Sequence, residues 1–107
     1  MALYLKNKKK IETIFEKGFT IKADGLLFKG YDFKDDEIKY GVSVSKKLFP
    51  LAVDRNLIKR RVKEQAKSVN LAEFIAKGVS FFLIYTSKQI LNSNEIKRRI
   101  ESLSQKL

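Results

Sequence analysis

The run Val79-Ser-Phe-Phe-Leu-Ile-Tyr85 constrains the fold more than any other feature of the chain. It is almost continuous in apolar and aromatic residues. A strand with one wet face alternates polar with apolar positions, whereas a run without alternation needs cover on both faces. The chain must therefore build a sheet with other elements packed above and below this strand.

The remaining sequence supplies those elements. Over residues 7–17, Ile11, Ile14 and Phe15 recur at helical spacing, with Asn7 as N-cap and Gly18 in the C-cap position. A short strand at Phe19–Ala23 and a stronger one at Leu26–Asp32 follow. Lys34-Asp35-Asp36 reads as a polar turn. Ile38, Tyr40, Val42 and Val44 then alternate as a strand over residues 38–45. The single proline, Pro50, precedes a second helix over about residues 51–69. Residues 70–77 make a polar or short helical connection to the apolar strand. Asn92 with Glu95 forms a capping box for a last helix striped by Ile96, Ile100, Leu103 and Leu107. The order αβββαβα describes one α+β domain over residues 1–107, a small mixed sheet of about four strands packed with three helices.

Charge narrows the function. The chain carries 23 Lys+Arg against 12 Asp+Glu, a formal net charge of +11. Such an excess repels itself in a compact domain and calls for a polyanionic partner, nucleic acid first and an anionic membrane surface second. Neither cysteine nor histidine is present. That removes disulfides, a thiolate nucleophile, a Cys/His zinc site and a general base poised near neutral pH. No run of 18 apolar residues occurs, and the apolar N-terminal patch precedes its lysines, the reverse of a secretory signal. The expected location is cytoplasmic, away from membranes.

The second helix concentrates the charge. On a helical wheel, Arg55, Lys59, Lys63, Asn56, Lys67 and Arg60 fall within an arc of about 140°, beside an apolar arc of Ile58, Val69, Val62 and Ala66. From Lys46 to Lys67 there are eight basic residues and two acidic ones. A merely solvated face mixes the two signs, so this one reads as a phosphate-binding surface. Asn56 can donate and accept, which suits a base edge or a 2′-hydroxyl. If Arg55 holds one phosphate, Arg55→Ala is expected to lower the salt dependence of binding by about one. Elsewhere, Asp32, Asp35, Asp36 and Glu37 read as an acidic solvated turn rather than a metal site. Lys97-Arg98-Arg99 and the lysines at 6 and 8–10 read as minor basic patches. Tyr40 and Tyr85 read as strand residues with hydroxyls at an edge of the core.

The segment Gly41-Val-Ser-Val-Ser-Lys-Lys47, followed by Ala52-Val-Asp-Arg-Asn-Leu-Ile-Lys-Arg-Arg-Val-Lys-Glu64, closely resembles the protein subunit of bacterial ribonuclease P. The leading helix ending Phe15-Glu-Lys-Gly18 and the late strand extend the resemblance over nearly the whole chain. It implies a ribonucleoprotein endoribonuclease in which the RNA subunit, with magnesium, removes the 5′ leader of precursor tRNA. The protein would bind that RNA and hold the leader, with neither DNA nor a membrane as partner. Matched to the family pattern, Lys46, Lys47, Arg55, Asn56, Lys59, Arg60 and Arg61 are implied RNA contacts, joined by Lys63 and Lys67 of the basic arc. Phe15 is the implied leader-cleft aromatic, although its stripe with Ile11 and Ile14 also suits a core residue. The family fold further implies a left-handed crossover between parallel strands, in the manner of the second domain of ribosomal protein S5. The chain departs from the family pattern at Leu57 in place of arginine, at Phe49-Pro50-Leu51 before the helix, and at Ile11 in place of a second cleft aromatic. An alternative function is a general RNA-binding or ribosome-associated module without a catalytic RNA partner.

Overall fold

A computed structural model describes residues 2–4, as backbone, and residues 7–107. In chain order the elements are β1 (Ala2–Tyr4), α1 (Lys8–Lys17), β2 (Phe19–Ala23), β3 (Leu26–Asp32), β4 (Ile38–Val44), α2 (Ala52–Ser68), β5 (Val79–Tyr85) and α3 (Ser93–Lys106), with a 3₁₀ turn at Leu71–Phe74 between α2 and β5. The strands form one mixed sheet in the order β1-β4-β5-β3-β2. Strands β1, β4 and β5 run parallel, while β3 is antiparallel to both β5 and β2. The neighbouring parallel strands β4 and β5 are joined through α2, the crossover that carries the basic residues.

The apolar strand is covered on both faces, as its composition requires. Phe81, Leu83 and Tyr85 join a core with Leu26, Phe28 and Val42, closed by Ile58, Val62 and Ala66 of α2 and Ile96, Ile100 and Leu103 of α3. On the opposite face Phe82 meets Ile14 of α1, with Ile11, Tyr31, Phe33 and Ile84 at the margin. Adjacent residues of a strand point to opposite faces, so Phe81 and Phe82 each serve a different layer.

Local signals in the sequence hold to within a residue. The Asn7 Oδ1 accepts from the Lys10 amide at 3.2 Å and starts α1. The Asn92–Glu95 capping box is complete at the head of α3. All four expected strands form. The fifth, β1, adds a three-residue parallel edge that is too short to carry a readable period. Gly18 follows α1 as expected, but its φ of −68° is not left-handed. A Cβ there would stand 2.3 Å from the Ile14 carbonyl oxygen and 2.7 Å from that of Gly30, so the last turn of α1 and its close approach to β3 together demand glycine.

The α3 side chains also reach the outer strand. Lys106 Nζ donates to the Lys22 carbonyl at 2.6 Å, and Arg99 Nε donates to the Asp24 carbonyl at 2.5 Å. Among the described residues no helix is long and apolar enough to cross a membrane.

Candidate nucleic-acid interface

Strand β4 delivers the chain into a tight turn before α2. The Ser45 Oγ accepts from the amides of Lys47 and Leu48 at 3.1 and 3.4 Å, and the Ser45 carbonyl accepts from the Phe49 amide at 3.0 Å. Phe49 is buried, with its ring edge-on to Tyr85 at 5.8 Å. Lys46 and Lys47 stay exposed on the outside of this turn. The departure Phe49-Pro50-Leu51 thus has a structural reason, because Phe49 anchors the turn while Leu51 takes the N-cap position of α2 without a side-chain cap.

The expected contact residues divide into two groups. Arg55 turns back on the preceding turn, its Nη1 donating to the carbonyls of Phe49 and Pro50. Arg61 donates through Nη1 to the Leu91 carbonyl at 2.9 Å, in the segment leading to α3. Its place on the wheel, about 240° from Arg55, explains this, since that flank lies beyond the apolar arc from the basic one. The second group faces outward. Asn56, Arg60 and Lys67 are exposed, and Lys59 and Lys63 are half-buried along the same flank. The Arg60–Glu64 pair, at 4.0 Å on the open surface, restrains Arg60 little.

Phe15 is the aromatic of a second feature on the opposite face of the sheet. It is 40% exposed, and its ring lies 5.2 Å from that of Phe82 with the planes tilted by 36°. Ile14, not Phe15, is the fully buried residue of α1. Phe82 itself lies over Gly41, where a Cβ would meet its Cε1 at 2.5 Å. Lys29 and Gly41 are its register partners on β3 and β4. The glycine that leads the motif therefore makes room for the ring beneath Phe15. Phe82 and Lys29 escape motif reading; the signal for Phe82 is the adjacent pair Phe81-Phe82, which must place one ring on each face.

The acidic turn is internally engaged. Asp35 pairs with Lys10 at 2.8 Å and accepts from the Glu37 amide at 3.0 Å. The Lys10 hydrogen bond, then the backbone one, hold its carboxyl below its ordinary range. Lys10 Nζ also sits 4.9 Å from the centre of the Phe33 ring. Asp32 Oδ1 accepts from the Lys34 amide at 2.8 Å. Lys6 lies outside the described residues. Tyr85 matches its expected place, its hydroxyl accepting from the Leu91 amide at 3.0 Å and donating to the Gln89 carbonyl.

The ribonuclease P family model matches residues 2–107. The chain belongs to the ribonuclease P protein family. The ribonuclease P protein component of Staphylococcus haemolyticus (strain JCSC1435) is 32% identical over 78 residues, which cover 73% of this chain and 67% of that one. The solved ribonuclease P protein of Staphylococcus aureus superposes with a TM-score of 0.79 at 24% identity, covering 98% of this chain and 94% of that one. That of Thermotoga maritima gives a TM-score of 0.80 at 19% identity over 97% and 96%. The two solved structures establish the ribonuclease P protein fold for this α+β chain.

Proposed function

We infer that this chain is the protein subunit of ribonuclease P, binding the catalytic RNA and the 5′ leader of precursor tRNA and so promoting endonucleolytic removal of the leader. The observation that carries this reading is the outward flank of α2, where Asn56, Lys59, Arg60, Lys63 and Lys67 share one side of a helix preceded by exposed Lys46 and Lys47. A row of cations on a rigid helix neutralises successive phosphates and releases their counterions. The Phe15 ring, exposed above Phe82, offers a stacking surface to single-stranded bases with little regard for sequence.

In this reading the bond is broken by the RNA subunit with its magnesium. The described residues of the protein bring together no cluster of three His, Cys, Asp or Glu side chains suited to a metal ion. The protein's part in this reading is to bind, orient and neutralise charge. The test is reconstitution with a ribonuclease P RNA and precursor tRNA at low magnesium. Addition of the chain should raise the rate of leader cleavage. No increase, with RNA binding intact, would leave the chain as a general RNA-binding module instead.

A further inference from the structure

The two most exposed large apolar side chains among the described residues fall together, with a third, less exposed one close by in sequence. Val53 is 77% exposed and Leu51 65%, with Leu48 at 38%. Pro50 and Ala52 between them are exposed as well. Exposed apolar side chains grouped within six residues of a small basic domain mark a candidate contact site. This one is firmly held. The buried Phe49 ring, the Ser45 turn and the Arg55 guanidinium fix its backbone from three sides.

Charge selects the occupant. Lys46 and Lys47 adjoin the patch, and no carboxylate occurs between Glu37 and Asp54. A second copy of a chain carrying +11 would be repelled from such a surface. A segment of RNA with unstacked bases presents the matching pattern, flat apolar faces flanked by phosphates. The patch also runs directly into the outward flank of α2, so one RNA strand can meet both.

We propose that residues 48–53 are an apolar contact for unstacked nucleobases, which lie on Leu48, Leu51 and Val53 while Lys46 and Lys47 take the neighbouring phosphates. This contact rests on the RNA-binding function proposed above and adds to it a base-facing surface distinct from the basic flank.

The experiment is a titration of a ribonuclease P RNA transcript at several salt concentrations, with the whole chain and its variants. An apolar contact releases no counterions, so the salt slope separates it from a phosphate contact. The triple variant Leu48→Ser, Leu51→Ser, Val53→Ser should bind about tenfold more weakly with its slope unchanged. The double variant Lys46→Ala, Lys47→Ala should lose roughly 1.5 from the slope. Leu51→Phe, which enlarges the exposed face without entering the core, should bind about threefold more tightly. Unchanged affinity in the triple variant overturns the proposal, as does a loss accompanied by a shallower slope. So does a dimer of the wild-type chain in sedimentation that the triple variant abolishes, because the occupant is then a second copy. Failure of the wild-type chain to bind the transcript defeats the RNA-binding function as a whole, whereas wild-type binding with a silent triple variant defeats only this contact.

Discussion

Arg55 Nη1 donates to the carbonyls of both Phe49 and Pro50 at 2.8 Å, tying the first turn of α2 to the chain that leads into it. Hydrogen bonds from a charged donor are worth more than neutral ones, and removing this donor takes it from the part-buried Phe49 carbonyl as well as the exposed Pro50 one. Arg55→Ala should therefore destabilise the domain by about 1–2 kcal/mol. Urea unfolding reads this directly, and an unchanged midpoint would show that the turn stands without the guanidinium. The salt slope of RNA binding is a separate readout, reporting whether the same side chain also reaches a phosphate.

Lys59 and Arg61 are two residues apart in sequence but stand on opposite flanks of α2. Lys59→Ala and Lys67→Ala should each lower the salt slope of RNA binding by roughly 0.7–0.9, with little change in stability. Arg61→Ala should do the reverse, since its Nη1 holds the Leu91 carbonyl. Binding titrations paired with thermal melts distinguish these patterns. Equal slope losses at all three positions would mean that Arg61 leaves Leu91 when RNA binds.

Gly41, Phe82 and Phe15 act in series. Gly41→Ala drives a Cβ to within 2.5 Å of the Phe82 ring, which must shift out from under Phe15. The expected cost is about 1–3 kcal/mol of stability. Binding of single-stranded leader should weaken in step with Phe15→Ala, which removes a stacking surface worth about 1–3 kcal/mol per base. Phe15→Tyr keeps the ring and should retain leader affinity. Equal affinities in all three variants would remove this face from the leader path.

Tyr40 provides a pH-dependent test of the core. Its ring is stacked 5.3 Å from that of Phe81, and burial raises its phenol above the ordinary value of 10.0. As pH rises past that value the unfolded phenol loses its proton while the folded one keeps it. The native state then binds more protons, and stability falls with rising pH. The contribution is complete below pH 10 and is lost above it. Tyr40→Phe should flatten the alkaline limb of stability measured by urea unfolding between about pH 9 and pH 11. A limb as steep as that of the wild type would assign the loss to other groups.

Legibility of the sequence follows the range of the interactions involved. The strand Val79–Tyr85 and the Asn92–Glu95 capping box were readable because side-chain period and cap chemistry act within a few residues. The outward flank of α2 was readable for the same reason, since a wheel needs only the helical pitch. Arg61 was not, because its partner Leu91 lies 30 residues away and arrives only when α3 packs on α2. Gly18 was readable as a C-cap position, but one of the two carbonyls that exclude a side chain there belongs to Gly30 of β3, which no local pattern reveals. Nothing local announced β1, whose three residues pair with β4, a neighbour in the sheet but remote in sequence. The hand of the crossover between β4 and β5 is likewise a property of packed layers, and only the family likeness spoke to it.

The two cations that α3 lays over Lys22 and Asp24 bear on how the chain behaves before it meets RNA. An outer strand with open carbonyls is a template on which a second chain can add its own strand. Lys106 and Arg99 occupy acceptors along that border. The free protein is thereby denied one route into fibrous aggregates, and it owes that protection to two side chains of α3.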